Sequence, residues 1–333
     1  MRSTILIATV AALGAFVAAA QPGWHDPSPH TVRFVTVAPD VRLEVLDWGG
    51  TGRPVVLLAG LGNTAHVFDD FAPKLTSEYH VYGVTRRGYG ASGAPASGYE
   101  SDRLGDDVLA VLDELKINRP VLVGHSFGGA ELSSIATRHP ERAAGVVYLD
   151  AAYGYAFDNG KGASFEQMMK TTAGVSAPPP GPEDIVSFDT VRAWYSRTNG
   201  ISLPEAEFRA LAVPLPDGKP GPPRESPGNA AILAGVQKYS AIRVPALAIF
   251  ATPHDMGSWV DRAPDPSKVR EALAQTESLV TLQAKAFEEG VPGARVVRLE
   301  RAHHYVFLSN EANVLRELHA FIAGLRLDAT ARP

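Results

Sequence analysis

The segment Gly124-His125-Ser126-Phe127-Gly128-Gly129 follows an apolar run at residues 120–123 and precedes a helical pattern at residues 131–138. Glycine-x-serine-x-glycine on a sharp strand-to-helix turn lifts a serine hydroxyl clear of a sheet. The helix behind such a turn aims its positive end at the serine, and with the Phe127 amide it favours a developing oxyanion. A serine hydroxyl is nearly inert at neutral pH. It needs a base, and the base needs a carboxylate to orient it. Both residue types recur downstream. The apolar run 245–250 ends in Ala251-Thr252-Pro253-His254-Asp255, and the run 294–299 ends in Glu300-Arg301-Ala302-His303-His304-Tyr305. Serine, then aspartate, then histidine, each at the carboxyl end of a strand, matches a nucleophile, its acid and its base. The pattern makes Asp255 the expected acid. Asp150, which ends the run 145–149, is the alternative acid, its other role being a buried structural carboxylate.

These residues need a scaffold, and the hydrophobic pattern supplies one. Residues 31–37 and 41–46 read as two strands around Pro39-Asp40. Residues 54–59 form a continuous apolar run, as in a strand buried on both faces, and residues 80–85 a further strand. Ser101 is placed to cap a helix whose apolar residues Leu104, Val108, Val111, Leu112 and Leu115 recur at helical spacing. Near the C-terminus Asp265 caps a helix, Pro266 occupies its first position and Gly290 ends it. A closing helix carries Val314, Leu315, Leu318, Phe321 and Ile322 on one face. Strands alternating with helices predict an α/β fold: a mostly parallel, doubly wound sheet covered on both faces.

One stretch departs from this alternation. Eleven of the 26 prolines fall between Pro178 and Pro227, yet Phe165, Met168, Trp194, Tyr195, Phe208, Leu211 and Ile232 are scattered through the interruption from about Tyr153 to Ser240. That apolar content predicts a packed cap inserted over the site, not a linker. The expected organisation is a signal peptide at 1–20, a core formed by 21–152 and 241–333, and a Pro-rich cap at 153–240.

The chain resembles an α/β-hydrolase of the capped serine esterase type. The motifs that carry the resemblance are Leu58-Ala59-Gly60-Leu61 after the third strand, Arg87-Gly88-Tyr89-Gly90-Ala91-Ser92 after the fourth, the serine elbow and the His304 loop. By position the resemblance implies Ser126 as nucleophile, Asp255 as acid and His304 as base, with the amides of Leu61 and Phe127 as the oxyanion hole. His304 is selected over His303 because in related sequences the catalytic histidine is followed directly by an aromatic or apolar stretch, here Tyr305-Val306-Phe307. One departure concerns the oxyanion loop, where Ala59-Gly60 replaces the family's usual His-Gly. The donor is the next residue's backbone, so Leu61 can still serve. Dehalogenases and epoxide hydrolases of this family use an aspartate nucleophile, so Ser126 disfavours both activities.

Other apparent motifs lack a mechanism. Gly88-Tyr89-Gly90-Ala91-Ser92-Gly93 matches a dinucleotide fingerprint, but no helix opens at those glycines to hold a pyrophosphate. Gly218-Lys219 is followed by Pro220, so no phosphate-cradling loop is present. His254 and the histidine pair show no zinc-type spacing such as His-Glu-x-x-His. His125 lies on the same turn as Ser126, which suits packing better than proton transfer. No cofactor and no metal are expected.

The 333 residues are 45% hydrophobic and 20% charged, a globular composition able to bury a sizeable core. The absence of cysteine removes disulfides and thiolate chemistry together. A net charge of −5 argues against a nucleic-acid binder, which needs a basic stripe. Met1-Arg2, an apolar run from Ile5 to Val17, and Ala18 and Ala20 before Gln21 form the secretory signal pattern. The expectation is therefore a secreted or periplasmic serine hydrolase that cleaves small-molecule carboxylic esters through an acyl-enzyme, without membrane insertion after signal cleavage. A lactonase, an amidase or a carbon–carbon bond hydrolase would use the same residues. A non-catalytic ligand-binding homologue is the alternative of a different class.

Overall fold

The computed structural model describes residues 24–172, 175–224, 226 and 228–325; the expected signal peptide lies outside them. Strands β1 (Thr31–Ala38) and β2 (Val41–Gly49) form an antiparallel pair turning at Asp40. β3 (Arg53–Leu58), β4 (Tyr79–Val84), helix α1 (Ser101–Glu114), β5 (Val121–His125), α2 (Gly128–Arg138) and β6 (Gly145–Leu149) follow in alternation. The insertion then contributes α3 (Phe165–Thr172), α4 (Phe188–Asn199), α5 (Glu205–Leu211), a small hairpin of β7 (Ala212–Pro214) and β8 (Pro220–Pro223), and α6 (Gly228–Ala234). β9 (Ala246–Ala251), α7 (Pro266–Gly290), β10 (Arg295–Leu299), α8 (Val306–Ser309) and α9 (Glu311–Gly324) complete the chain.

Eight strands form one sheet in the order β1-β2-β4-β3-β5-β6-β9-β10, parallel from β4 to β10. This is the predicted doubly wound sheet. Successive side chains of a strand face opposite sides, so each central strand feeds two cores. Val56, Leu58, Leu122, Val146, Tyr148 and Phe250 pack beneath α1, α2 and α7. Val55, Leu57, Val123, Val147, Leu149 and Ile249 pack on the other face with Phe68, Phe71 and α9. Both faces being dry explains why these strands read as continuous apolar runs instead of alternating ones.

Helix ends show what local signals capture. Asp265 caps α7 as expected, its carboxylate accepting from the Lys268 amide at 3.0 Å. Ser101 does not cap α1. It is the first helical residue, and the Asp102 amide donates instead to Gln237 Oε1 at 2.7 Å. The cap thus comes from the end of the insertion, which no local pattern encodes. α2 starts at Gly128, three residues before the apolar periodicity begins.

The insertion is packed. Phe188, Ile201, Leu203 and Ile232 are buried, and Gln283 of α7 donates to the carbonyls of Ala152 and Phe157 at 2.9 and 2.8 Å. Among the described residues no helix is long and apolar enough to cross a membrane.

Candidate active site

Ser126 sits between β5 and α2 with φ at +49°, and its amide donates to the Leu149 carbonyl at 3.2 Å. A non-glycine residue held at positive φ carries backbone strain, which surrounding structure must hold in place. The flanking glycines make the turn possible. A Cβ at Gly124 would lie 2.7 Å from the Gly128 backbone, and one at Gly128 would lie 2.6 Å from the Leu58 carbonyl oxygen. Strand, elbow and helix approach too closely for any side chain at either position.

Asp150 ends β6 and is fully buried. Its Oδ2 faces His304 Nδ1 at 2.6 Å and His254 Nε2 at 2.8 Å, while its Oδ1 accepts from the Ala251 amide at 2.9 Å and from the Tyr153 hydroxyl. Burial alone would raise this carboxyl's pKa. The His254 charge and the hydrogen bonds from both histidines reverse that, holding it far below the usual carboxylate range. Asp150 is therefore ionised, and Nδ1 of His304 carries the proton. Nε2 is left as the ring nitrogen able to exchange one.

Asp255, the expected acid, is not in this arrangement. It is exposed, and its carboxylate accepts from the Gly257 amide at 2.9 Å. The reason is parity. His254 pairs with Ala302 as a one-residue parallel bridge beyond β9 and β10. Neighbouring side chains of an extended segment point to opposite sides, so an inward His254 turns Asp255 outward. The alternative, Asp150, occupies the position facing His304.

His254 itself was not predicted in any role. Its Nδ1 faces Glu277 of α7 at 2.6 Å, and its Nε2 faces Asp150. Burial opposes charge on this ring, but the two carboxylates outweigh it and raise its pKa to about 10. The sequence signal was the adjacency of His254 to a strand end. Nothing local named Glu277 as its partner.

The remaining histidines hold the loop. His125 Nε2 donates to the His304 carbonyl at 3.1 Å, which fixes its tautomer, and burial keeps the ring neutral by pushing its pKa well down. His303 is pushed down to about 4, first by burial and then by the His304 and His254 charges; its Nδ1 accepts from the Tyr305 amide at 3.2 Å. These contacts give both rings packing roles.

Gly60 abuts the serine. A Cβ there would lie 3.0 Å from Ser126 Cβ. Among the described backbone hydrogen bonds, neither the Leu61 amide, next to Gly60, nor the Phe127 amide, next to Ser126, is a donor. The loop after β3 is held by Arg86. Its guanidinium donates to the carbonyls of Ala59 and Gly60 at 2.8 and 3.1 Å and pairs with Glu131 of α2 at 2.7 Å. One buried ion pair thereby ties the β3 loop to the helix behind the elbow.

The insertion covers this ground from two directions. Tyr155 stacks on Phe127 at 4.2 Å, with Phe165 edge-on at 5.7 Å. From the other side, Glu207 of α5 accepts from Asn63 Nδ2 at 2.8 Å and from the Thr64 amide at 3.1 Å, while Asn63 Oδ1 accepts from the Tyr305 hydroxyl at 3.0 Å. Burial raises the Glu207 carboxyl to about 7 against those hydrogen bonds.

Known proteins share this framework. A family model described as the alpha/beta hydrolase family matches residues 55–317. Epoxide hydrolase A of Mycobacterium tuberculosis is 36% identical over 113 residues, spanning 33% of this chain and 35% of that protein. The 3-oxoadipate enol-lactonase 2 of Acinetobacter baylyi is 33% identical over 116 residues, spanning 34% of this chain and 43% of that protein. The chain thus spans less than half the length of these relatives. The solved structure of E-2-(acetamidomethylene)succinate hydrolase superposes with a TM-score of 0.62 at 21% identity, covering 89% of this chain and all of the other.

Proposed function

The chain belongs to the alpha/beta hydrolase family, and within it we propose a serine hydrolase that cleaves carboxylic esters through an acyl-enzyme. The observation that carries the reading is the 2.6 Å contact between His304 Nδ1 and Asp150, with Ser126 on its strained elbow. His304 Nε2 takes the Ser126 proton as the hydroxyl attacks the ester carbonyl. Asp150 fixes the tautomer and stabilises the imidazolium that forms. The Leu61 and Phe127 amides receive the oxyanion, a contribution of roughly 3–4 kcal/mol per donor in precedent. The imidazolium then protonates the departing alcohol. His304 next deprotonates a water that attacks the acyl-enzyme, releasing the acid and restoring Ser126. This assignment replaces Asp255 with Asp150 and keeps Ser126, His304, Leu61 and Phe127 in the roles expected of them.

The lactonase reading is the nearest variant, since a lactone is a cyclic ester and one relative is named for that activity. The N-terminal pattern supports export, which makes the substrate an extracytoplasmic small molecule. A panel of chromogenic esters, lactones and amides, run with and without a serine-directed phosphonate, tests the reading. Ester turnover abolished by the phosphonate, and absent in Ser126→Ala, is expected. Turnover insensitive to the phosphonate would remove the serine mechanism. No burst and no turnover with any substrate would favour the ligand-binding homologue.

A further inference from the structure

A second cluster of histidines and carboxylates lies apart from Ser126. Asp26 and His30 belong to the segment entering β1. His66 and Asp69 belong to the short 3-10 turn Ala65–Phe68 and the residue that ends it. One ligand atom from each of the four lies within 4.8 Å of the others. His66 Nδ1 is 2.8 Å from Asp69 Oδ2 and 3.4 Å from Asp26 Oδ2, and His30 Nδ1 is 3.1 Å from Asp69 Oδ1.

The independent observation concerns the last pair. The side chains of His30 and Asp69 are each only 4% exposed, yet neither His30 Nδ1 nor Asp69 Oδ1 makes a hydrogen bond. They stand at hydrogen-bonding distance in an alignment that forms none. Buried polar atoms are nearly always satisfied by a hydrogen bond, so two that lack one, 3.1 Å apart as an ion pair, suit a shared partner at their open side.

We propose that these four residues form a structural zinc site that fastens the N-terminal segment to the turn after β3. A tetrahedral Zn²⁺ bound at about 2.0–2.2 Å needs ligand atoms about 3.3 Å apart. Two edges that share His66 Nδ1, to Asp69 Oδ2 at 2.8 Å and to Asp26 Oδ2 at 3.4 Å, lie on either side of that value, and the four ligand atoms fall within 4.8 Å of one another. The two carboxylates, Asp26 and Asp69, balance a divalent charge. The nitrogen content selects against Ca²⁺ and Mg²⁺, which take oxygen sets.

The surroundings fit. Asp26 Oδ1 is occupied by the Ser28 amide at 2.9 Å, leaving Oδ2 for the ion. His66 Nε2 faces Glu44 at 3.9 Å, and Glu44 is in turn held by the Thr85 hydroxyl at 2.8 Å. A carboxylate behind the free nitrogen of a ligating histidine orients the ring and strengthens the ligand. His30 is braced edge-on by Trp48 at 5.6 Å.

The test uses the purified protein stripped with a chelator and titrated with zinc chloride or cobalt chloride. One zinc per chain is expected, and cobalt should give the intense visible absorption of a four-coordinate site. His30→Gln and Asp69→Asn should each weaken zinc binding at least tenfold, whereas His254→Gln, in the other histidine cluster, should leave it intact. The cobalt spectrum of the unaltered protein carries the test even if a variant does not fold. Absence of zinc uptake by the unaltered protein, or a cobalt spectrum of six-coordinate type, would overturn the proposal. So would full binding in the His30→Gln/Asp69→Asn double variant, or loss in His254→Gln alone.

Discussion

At the carboxyl ends of β6 and β9, Asp150 is met by four groups on its two oxygens: His304, His254, Tyr153 and the Ala251 amide. At the N-terminal segment, His30 and Asp69 are almost as buried but pair at 3.1 Å without a hydrogen bond. The two clusters are built from the same residue types. Their difference lies in how the polar atoms are used. A carboxylate saturated with donors is fixed in charge and orientation, which suits a residue that must hold a base through a proton transfer. A cluster with unspent atoms aimed inward suits an ion. The first should therefore govern turnover and the second stability, and each prediction below probes that division.

Ser126→Ala should give the largest effect. Under the proposed mechanism Ser126, His304 and Asp150 act as a unit, so a loss of about 10⁴-fold or more in kcat/KM is expected with an unchanged melting temperature. Near-native turnover in the purified variant would break the comparison at its base. Asp150→Asn comes next. Asparagine keeps the shape but allows the wrong histidine tautomer, which cost about 10⁴ in the serine-protease precedent. Asp255→Asn, which touches only a loop amide, should stay within a few fold of the unaltered enzyme. Measuring both on one ester decides between them; the reverse outcome would return the acid to position 255.

His66→Gln should show the opposite signature. Loss of a partner from a buried charged cluster costs about 3 kcal/mol, read as a lower denaturation midpoint. Turnover of folded protein at 25 °C should be unchanged. A large kcat loss without destabilisation would mean that the two clusters are coupled.

His254→Gln sharpens the division, because His254 serves the first cluster electrostatically. Its raised pKa, about 10 in the folded state, means that its charge stabilises the fold fully below about 6.5. That contribution is lost as pH rises towards 10. The stability gap between the unaltered protein and His254→Gln should therefore close between those limits in denaturation midpoints taken along pH. Removing a cation from beside Asp150 should also lower kcat/KM on the ester at neutral pH by roughly tenfold. An unchanged kcat/KM would reduce His254 to a packing residue.

Glu207→Gln should give the smallest effect. Glu207 joins the insertion to Thr64, which caps the turn carrying His66, and to Asn63 beside Tyr305. Its carboxyl is raised to about 7, so its stabilising contribution is present below about 4.5 and is lost as pH rises through 7. Glutamine does not titrate. The melting temperature of the variant should thus fall less steeply than that of the unaltered protein between pH 5 and 8, by a few degrees. Parallel curves would show that the ionisation of Glu207 is not felt by the fold.

Local patterns in the sequence determined much of this protein. Continuous apolar runs at 54–59, 120–123 and 145–149 give strands with two dry faces, because a sheet covered by helices leaves no polar side. The glycines around Ser126 mark the elbow, since only a missing Cβ permits the approach of Gly124 to Gly128. The order of the chemistry-bearing residues at strand ends placed His304 in the crevice. What the sequence left open depends on contacts between distant segments. Asp255 and Asp150 both follow strands. The choice fell to the parity of one bridge between His254 and Ala302, which local periodicity does not encode. Arg86 supports the loop after β3 from another strand end, and Gln237 caps α1 from across the insertion. Asp26 and His30 approach His66 and Asp69 only because β1 and β2 pair at the sheet's edge beside β4. Each half of that cluster reads as ordinary loop sequence until the fold assembles them.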